Sequence, residues 1–230
     1  MIKEIKDILN HETIEVEKIC LEYDWTNEIK QYIVNWSVSL VIKWKSIAAY
    51  EIEDQLNKIR QWIDNIKNNI EKILITDKRL IKVETMPVEN DLVPKLESIY
   101  QEICECLVKE INKDTLSFIS LMNNNLKDLN EKPKSIEDFA KFAKFVSKYK
   151  DGMSQYEAKI NGIKSLLEII RVYHRALNNE EEQLDSQSQE LWKSFLFKLQ
   201  ESVEYVNTNS PNILLQLDGL YKVFVFALVF

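Results

Sequence analysis

An apolar stripe with the period of an α-helix runs along residues 52–73 of the chain. Its members follow one another at alternating spacings of four and three residues: Ile52, Leu56, Ile59, Ile63, Ile66, Ile70 and Ile73. This spacing brings them all to one face of a helix, whereas the side chains of a strand alternate with a period of two. Such a helix buries its apolar face in a bundle or against a partner helix. We therefore predict a helix here, with a buried seam that consists of Ile59, Ile63, Ile66 and Ile70.

The composition extends this prediction to the whole chain. Only 3 Gly and 4 Pro occur in 230 residues, which is too few for a β architecture with many tight turns. Charged residues make up 29% of the chain, and their signs are mixed as on solvent-exposed helix faces. The 45% of hydrophobic residues can fill a core in one domain or two. We predict an all-α fold of one or more elongated antiparallel helical bundles.

One segment does not fit a continuous helix. Residues 76–94 contain Pro87 and Pro94, and each proline removes a helical hydrogen bond and restricts the residue before it. We predict an extended, proline-containing connector there. It separates N-terminal helices in residues 1–75 from a helical bundle in residues 95–220. An apolar C-terminal end follows in residues 221–230.

Polar motifs predict where several helices begin and end. Ser135 can cap a helix by accepting a hydrogen bond from the amide of Asp138, and Gly152 is predicted to end that helix in the left-handed conformation. The acids at residues 180–182 suit the first turn of a later helix, where the helix dipole favours negative charge. Pro211 is predicted to stop that helix, with a short last helix after it.

The residues that catalytic and ligand sites require are sparse or unsuitably spaced. Neither of two common phosphate-binding patterns, G-x-x-x-x-G-K-S/T and G-x-G-x-x-G, occurs, so we predict no ATP binding. Cys104 and Cys106 lack a second pair at zinc-site spacing, which favours two ordinary thiols. His11 and His174 have no second histidine four residues away and are expected to be core or surface residues. We predict no catalytic residue, no cofactor, no metal ion and no enzymatic activity.

Charge and hydropathy limit the partners and the compartment. The formal net charge of −7 argues against nucleic acid, whose phosphates require a basic surface. The N-terminal residues alternate charged and apolar side chains, unlike a signal peptide. The apolar run of residues 223–230 is too short for a bilayer, which takes roughly 20 residues. Three cysteines do not make a disulfide framework, so we expect a reducing compartment.

Tryptophans on the predicted amphipathic helices are candidate interaction residues. They are Trp36, Trp44, Trp62 and Trp192. Each can bury a large apolar area in the core, which is the commoner role. Each could instead anchor a partner helix, because aromatic residues are frequent at the centres of interfaces.

A cluster of lysines interleaves with aromatic residues after residue 131. The lysines are Lys132, Lys134, Lys141, Lys144, Lys148 and Lys150. This pattern could present a basic face to an acidic surface such as a tubulin tail. The alternative is a solvated helix face with its aromatic residues turned inward, which is the usual meaning of a charge run. Lys141, Lys144 and Lys148 are the residues that we single out for possible interaction.

Several features follow one another in the second half of the chain. They are Asp138-Phe139, the F-x-x-F-V pattern of residues 142–146, the apolar helix of residues 160–171, the acidic turn of residues 180–182, and Leu191-Trp192 with Phe195. In this order and spacing they resemble the tail of dynein heavy chains just upstream of the linker, in the axonemal type. Residues 34–46 resemble the helix that precedes this part of the tail, so the resemblance covers about residues 27–217.

The resemblance implies a role in assembly. A dynein tail joins heavy chains, holds intermediate and light chains, and attaches the motor to cargo or to axonemal microtubules and docking proteins, in the cytoplasm or in the ciliary axoneme. The ATPase modules of a heavy chain are missing from this chain, and its end, LYKVFVFALVF, does not resemble the charged helix that continues the tail. The alternative is an unrelated helical adaptor or coiled-coil tether. Such a tether predicts an internal repeat, which the sequence lacks.

Overall fold

The computed structural model describes residues 2–22, 24–36, 49–70 and 86–229. Within these ranges the chain forms seven α-helices and no strand. In chain order the helices are α1 Ile2–Glu22, α2 Trp25–Asn35, α3 Ala49–Ile70, α4 Met86–Asn130, α5 Ile136–Asp151, α6 Met153–Tyr173 and α7 Asn179–Val229. The all-α prediction is therefore confirmed.

The chain divides into two compact units, and helix α4 contributes to both. The first unit comprises Met1–Val108 and Val172–His174, and the second comprises Lys109–Arg171 and Arg175–Phe230. The division falls inside α4. The segment boundaries proposed from the sequence, after residues 75, 94 and 220, stay a prediction.

Helix α3 supplies much of the core of the first unit. Ile59 and Ile66 are fully buried, as predicted. Ile63 is only half-buried, so that part of the prediction is wrong, and Trp62 lies in the core instead with 8% of its surface exposed. Steps of three then four residues keep to one helix face as well as steps of four then three, and the large indole fills more of the core. Ile52 and Leu56 of the stripe are also buried, whereas the side chain of Ile70 and all of Ile73 lie outside the described residues.

Helix α4 begins earlier than the sequence predicts. It starts at Met86 and contains Pro94, so the predicted extended connector is wrong over residues 86–94. Pro87 lies in the first turn, where a missing amide has no helical acceptor to lose. Pro94 is exposed. A proline inside a helix costs about 3 kcal/mol of stability, and here buried neighbours that contribute about 1.5–3 kcal/mol each offset that cost. These neighbours are Leu92, Val93 and Leu96. Residues 76–85 of the connector lie outside the described part of the chain.

Aromatic rings connect three helices in the second unit. Tyr149 of α5 meets Phe195 of α7 edge-on, with ring centroids 6.0 Å apart. Tyr156 of α6 meets the same ring edge-on at 5.7 Å. Phe195 and Phe118 of α4 are fully buried. Because edge-to-face contacts add to the apolar area that is removed from water, this cluster is a main source of stability for the unit.

Both ends of α5 follow from local chemistry. The Ser135 hydroxyl oxygen accepts from the Asp138 amide at 3.1 Å, so the predicted N-cap is confirmed. Gly152 has φ −82° and ψ −4°, so the prediction of a left-handed cap is wrong. A Cβ at Gly152 would lie 3.2 Å from the Tyr156 ring and 3.3 Å from the Lys148 carbonyl oxygen. Close packing between successive helices therefore accounts for the glycine.

Helix α7 continues through Pro211, so the predicted stop there is wrong. A proline removes one helical donor and crowds the carbonyl four residues earlier. In the preceding turn, Asn209 Nδ2 donates to the Tyr205 carbonyl at 2.8 Å, and Ser210 Oγ donates to the Val206 carbonyl at 2.6 Å. These bonds lie next to the point where the proline weakens the backbone ladder, and the helix continues to Val229.

Candidate functional site

Helix α5 carries lysines on its exposed side because apolar residues fix the opposite side. The buried residues recur at spacings of three and four: Phe139, Phe142, Val146 and Tyr149. Lys141, Lys144 and Lys148 are exposed and recur at the same spacings. They therefore form one line along the helix, which we call the basic stripe.

The charges of the basic stripe are only partly neutralised. Lys141 forms an ion pair with Glu137 at 2.7 Å, and this hydrogen bond raises the pKa of Lys141 above its ordinary value. The Lys148 ammonium lies 5.6 Å from the centroid of the Tyr149 ring, a cation–π contact that leaves its charge in place. Among the described residues, Lys144 has no ion-pair partner. The stripe can therefore attract carboxylates from outside the chain.

A groove of about 510 Å³ opens beside the basic stripe. It is lined by α5 and by the end of α4 with the following loop, which together supply Asp128, Glu131, Lys132, Pro133, Lys134, Asp138, Lys141, Phe142 and Phe145. We call it the loop groove. Phe145 is 37% exposed and stacks on Tyr149 with ring centroids 6.3 Å apart. Since Lys141 belongs to both the stripe and the groove, an apolar side chain could occupy the groove next to a row of ammonium groups.

The first turn of α7 contains a polar cluster that the sequence interpretation missed. Helix α7 begins with the predicted acids at residues 180–182. The backbone amide of Glu181 donates to Asn178 Oδ1 at 2.9 Å. The backbone amide of Asn178 donates to Glu181 Oε2, also at 2.9 Å, and the two bonds make a reciprocal capping box. The Arg175 guanidinium donates to both Glu181 carboxylate oxygens at 2.8 Å. The pattern Asn178-x-x-Glu181 was the available signal for this box.

A second ion pair lies about one turn further from the loop, between α6 and α7. Arg171 Nη2 donates to Asp185 Oδ2 at 3.1 Å, and Gln189 Nε2 donates to Asp185 Oδ1 at 2.7 Å. Together Arg171, Arg175, Asn178, Glu181 and Asp185 form what we call the α6–α7 clamp. Its carboxylates are buried and already paired, so it fixes the junction between the helices and offers no site for a ligand.

Trp36 and Trp62 pack inside the first unit. Trp36 directly follows α2 as its C-cap, and its Nε1 donates to Glu102 Oε2 at 3.0 Å. Trp62 is buried and meets Tyr32 edge-on, with ring centroids 5.1 Å apart. Trp44 lies outside the described residues. A role for these residues in partner binding stays a prediction.

Trp192 of α7 is half-buried in the second unit. Its ring stacks on Phe195 with centroids 5.8 Å apart and lies 6.1 Å from the ring of Phe118. This position contributes to the aromatic core and leaves part of the indole accessible. Whether that part contacts a partner also stays a prediction.

The described residues contain no cluster of His, Cys, Asp and Glu that could hold a metal ion. Cys104 is buried, and burial raises the pKa of its thiol to about 11. A protonated thiol is a poor nucleophile and a poor metal ligand near neutral pH. Cys106 is half-buried, and His174 is also partly exposed.

Across the described residues, no helix has a segment both long enough and apolar enough to cross a bilayer.

In sequence, the chain is similar to Dynein heavy chain domain-containing protein 1 of Mus musculus, with 21% identity over 209 residues. The match covers 90% of this chain and 4% of that protein, so the chain spans a small part of its relative's length. No protein-family model matches the chain. No solved structure matches it either. The similarity indicates a dynein-related chain, and it does not assign the chain to the tail or to an axonemal dynein.

Proposed function

We propose that this chain is a non-catalytic scaffold segment of a dynein heavy-chain tail, of axonemal type, just upstream of the linker. The similarity to a dynein heavy chain domain-containing protein over 90% of the chain carries this proposal. It agrees with the resemblance to the dynein tail that residues 133–211 display. An all-helical structure suits a role in which long helices hold other subunits at fixed positions.

Exposed apolar side chains on α7 support an assembly role. Leu214, Leu215, Leu220 and Tyr221 lie in the last part of that helix and are 64%, 70%, 59% and 67% exposed. Several large apolar side chains exposed within two turns of one helix are typical of a region that packs on another chain. In the proposed role these residues contact neighbouring helices of the motor complex.

The proposed partners are other dynein heavy-chain, intermediate-chain and light-chain subunits, with the axonemal microtubule or its docking proteins as further candidates. The proposed location is the cytoskeleton, in the cytoplasm and in particular in the ciliary axoneme. The role requires no nucleic acid, no membrane span and no cofactor.

Affinity purification of the tagged chain from ciliated cells tests this proposal. We expect dynein heavy-chain, intermediate-chain or light-chain subunits to co-purify. The double substitution Leu214→Gln and Leu220→Gln should weaken their recovery, because it replaces two exposed apolar side chains with amides. Leu116→Gln in α4 is the matched control, since Leu116 is also an exposed leucine, with 54% of its surface accessible.

Two results would count against the proposal. If no dynein subunit is recovered with the wild-type chain, the dynein role is wrong, and the chain is better described as a free-standing helical adaptor or tether. If both variants lose the subunits equally, the C-terminal part of α7 is not the contact surface.

A further inference from the structure

We infer that the basic stripe and the loop groove together bind an acidic peptide segment of a partner protein, with one apolar side chain of that segment seated in the groove. This inference names the chemistry of one partner of the proposed scaffold and therefore rests on that proposed function.

The electrostatic step begins with the lysines of the stripe. Lys144 has no ion-pair partner among the described residues, and Lys148 has a cation–π contact that does not neutralise it. Within the described part of the chain, Lys141 is the one lysine of the stripe with an ion pair, which it forms with Glu137. The whole chain has a net charge of −7, so its overall charge does not favour an acidic peptide. A line of incompletely neutralised lysines is therefore a local site of attraction.

Charge alone does not make a specific site. An exposed pair between a lysine and a carboxylate contributes little and is screened by salt, so an acidic peptide on the stripe would slide along it. The loop groove supplies a fixed point. Phe142 and Phe145 form its apolar wall, and Phe145 is 37% exposed. An apolar side chain in the groove would remove this aromatic surface from water and set the register of the acidic residues along the stripe.

The acids that line the groove determine which way the peptide lies. Asp128, Glu131 and Asp138 line the groove together with three lysines, so its own lining is neutral overall. Asp128 accepts a hydrogen bond from the Tyr149 hydroxyl and is held in place. These carboxylates repel acidic residues at the groove, and the ammonium groups of Lys144 and Lys148 attract them further along α5. The matching partner therefore places its apolar residue in the groove and its acids against the stripe.

Fluorescence anisotropy with a dye-labelled, glutamate-rich peptide that contains one leucine tests this arrangement on the full chain. The double substitution Lys144→Glu and Lys148→Glu should weaken binding at least about tenfold, because it replaces attraction by repulsion. Lys150→Glu is the matched control, since Lys150 is exposed on the other side of the same helix. It should change the affinity by less than about twofold, the range expected of a screened, distant charge. Replacing the peptide's leucine with serine should weaken binding by roughly fivefold to tenfold.

Circular dichroism establishes that each variant folds, and Lys144→Gln with Lys148→Gln replaces the double variant if charge reversal disrupts the helix. Absence of binding to the wild-type chain overturns the inference. Equal losses in the stripe variant and in Lys150→Glu overturn it as well, because the attraction would then be diffuse. Peptide binding is measured without any dynein subunit, so its failure is distinct from a failure of subunits to co-purify.

Discussion

Replacing Glu181 with Gln tests the α6–α7 clamp with a minimal change of shape. Glu181 is 4% exposed, and both of its carboxylate oxygens accept from Arg175 at 2.8 Å. Gln offers one acceptor oxygen and one donor group, so part of the guanidinium then faces another donor. The backbone amide of Asn178 donates to Glu181 Oε2, so in the variant it competes with Arg175 for the single side-chain oxygen of Gln. The substitution should therefore weaken both the ion pair and the helix cap.

The expected magnitude follows from the burial of the two partners. A hydrogen bond to a charged group contributes about 1.5–3 kcal/mol, and breaking a fully buried pair costs about 3–5 kcal/mol. The Arg175 side chain is 39% exposed, so water can solvate its guanidinium once the carboxylate is gone, and the lower range applies. We expect the free energy of unfolding to fall by about 2 kcal/mol. At about 2–4 °C per kcal/mol, this corresponds to a fall in Tm of roughly 4–8 °C.

Thermal unfolding followed by circular dichroism measures this effect. Glu180→Gln is the matched control, because Glu180 is exposed in the same first turn and undergoes the same change of charge. We expect it to lower stability by less than about 0.5 kcal/mol, as for other surface substitutions. Hydrogen exchange should also show faster opening at the start of α7 in Glu181→Gln alone. Superimposable melting curves for the two variants would refute the claim that the clamp stabilises the junction.

Three further substitutions or reactions test the first unit and its thiols. Ile59→Ala should cost about 2–5 kcal/mol and Ile63→Ala clearly less, because Ile59 is fully buried and Ile63 is not; equal losses in urea unfolding would contradict the packing. Burial raises the pKa of Tyr32 to about 12, so the folded state keeps a proton that the unfolded chain loses near its ordinary pKa of about 10. Stability should then fall as the pH rises from about 10 to about 12, and Tyr32→Phe should reduce that fall in urea titrations; an unchanged slope would exclude this cause. Burial raises the pKa of Cys104 to about 11, so a thiol reagent at about pH 8 should modify the exposed Cys20 long before Cys104; peptide mapping that finds both modified at once would show that Cys104 is accessible.

The helical period predicted the helices but not the angular position of each face. Spacings of three and four describe both the pair Ile59–Ile63 and the pair Ile59–Trp62, and only packing against other helices selects between them. Proline rules also failed where tertiary contacts outweighed them. Pro94 is helical because its neighbours are buried, and Pro211 is helical in a turn where two side chains supply additional hydrogen bonds. Burial of the neighbours of Pro94 is a tertiary effect that a sequence window does not contain, whereas the side-chain bonds before Pro211 join residues only four apart.

The basic stripe could be predicted from the sequence because it depends on one helix. Once Phe142 and its buried neighbours fix the inward face of α5, the outward positions of Lys141, Lys144 and Lys148 follow. The loop groove could not be predicted from the sequence, since it also depends on where the chain turns after α4. Its walls come from residues on both sides of that turn.

The contrast between Glu181 and Glu137 shows why charge patterns do not by themselves distinguish a structural ion pair from a binding surface. Both are acids in the first turn of a helix, and each forms an ion pair with a basic residue, at 2.8 Å and 2.7 Å. Glu181 is 4% exposed and its Arg175 partner folds over it from the preceding loop, so the pair depends on tertiary packing. Glu137 and Lys141 are both exposed and four residues apart in α5, so solvent and salt can compete for them. The first pair is therefore fixed by the fold, whereas a partner that brings a better placed carboxylate can displace the second, and this is why a binding function is assigned to the stripe and not to the clamp.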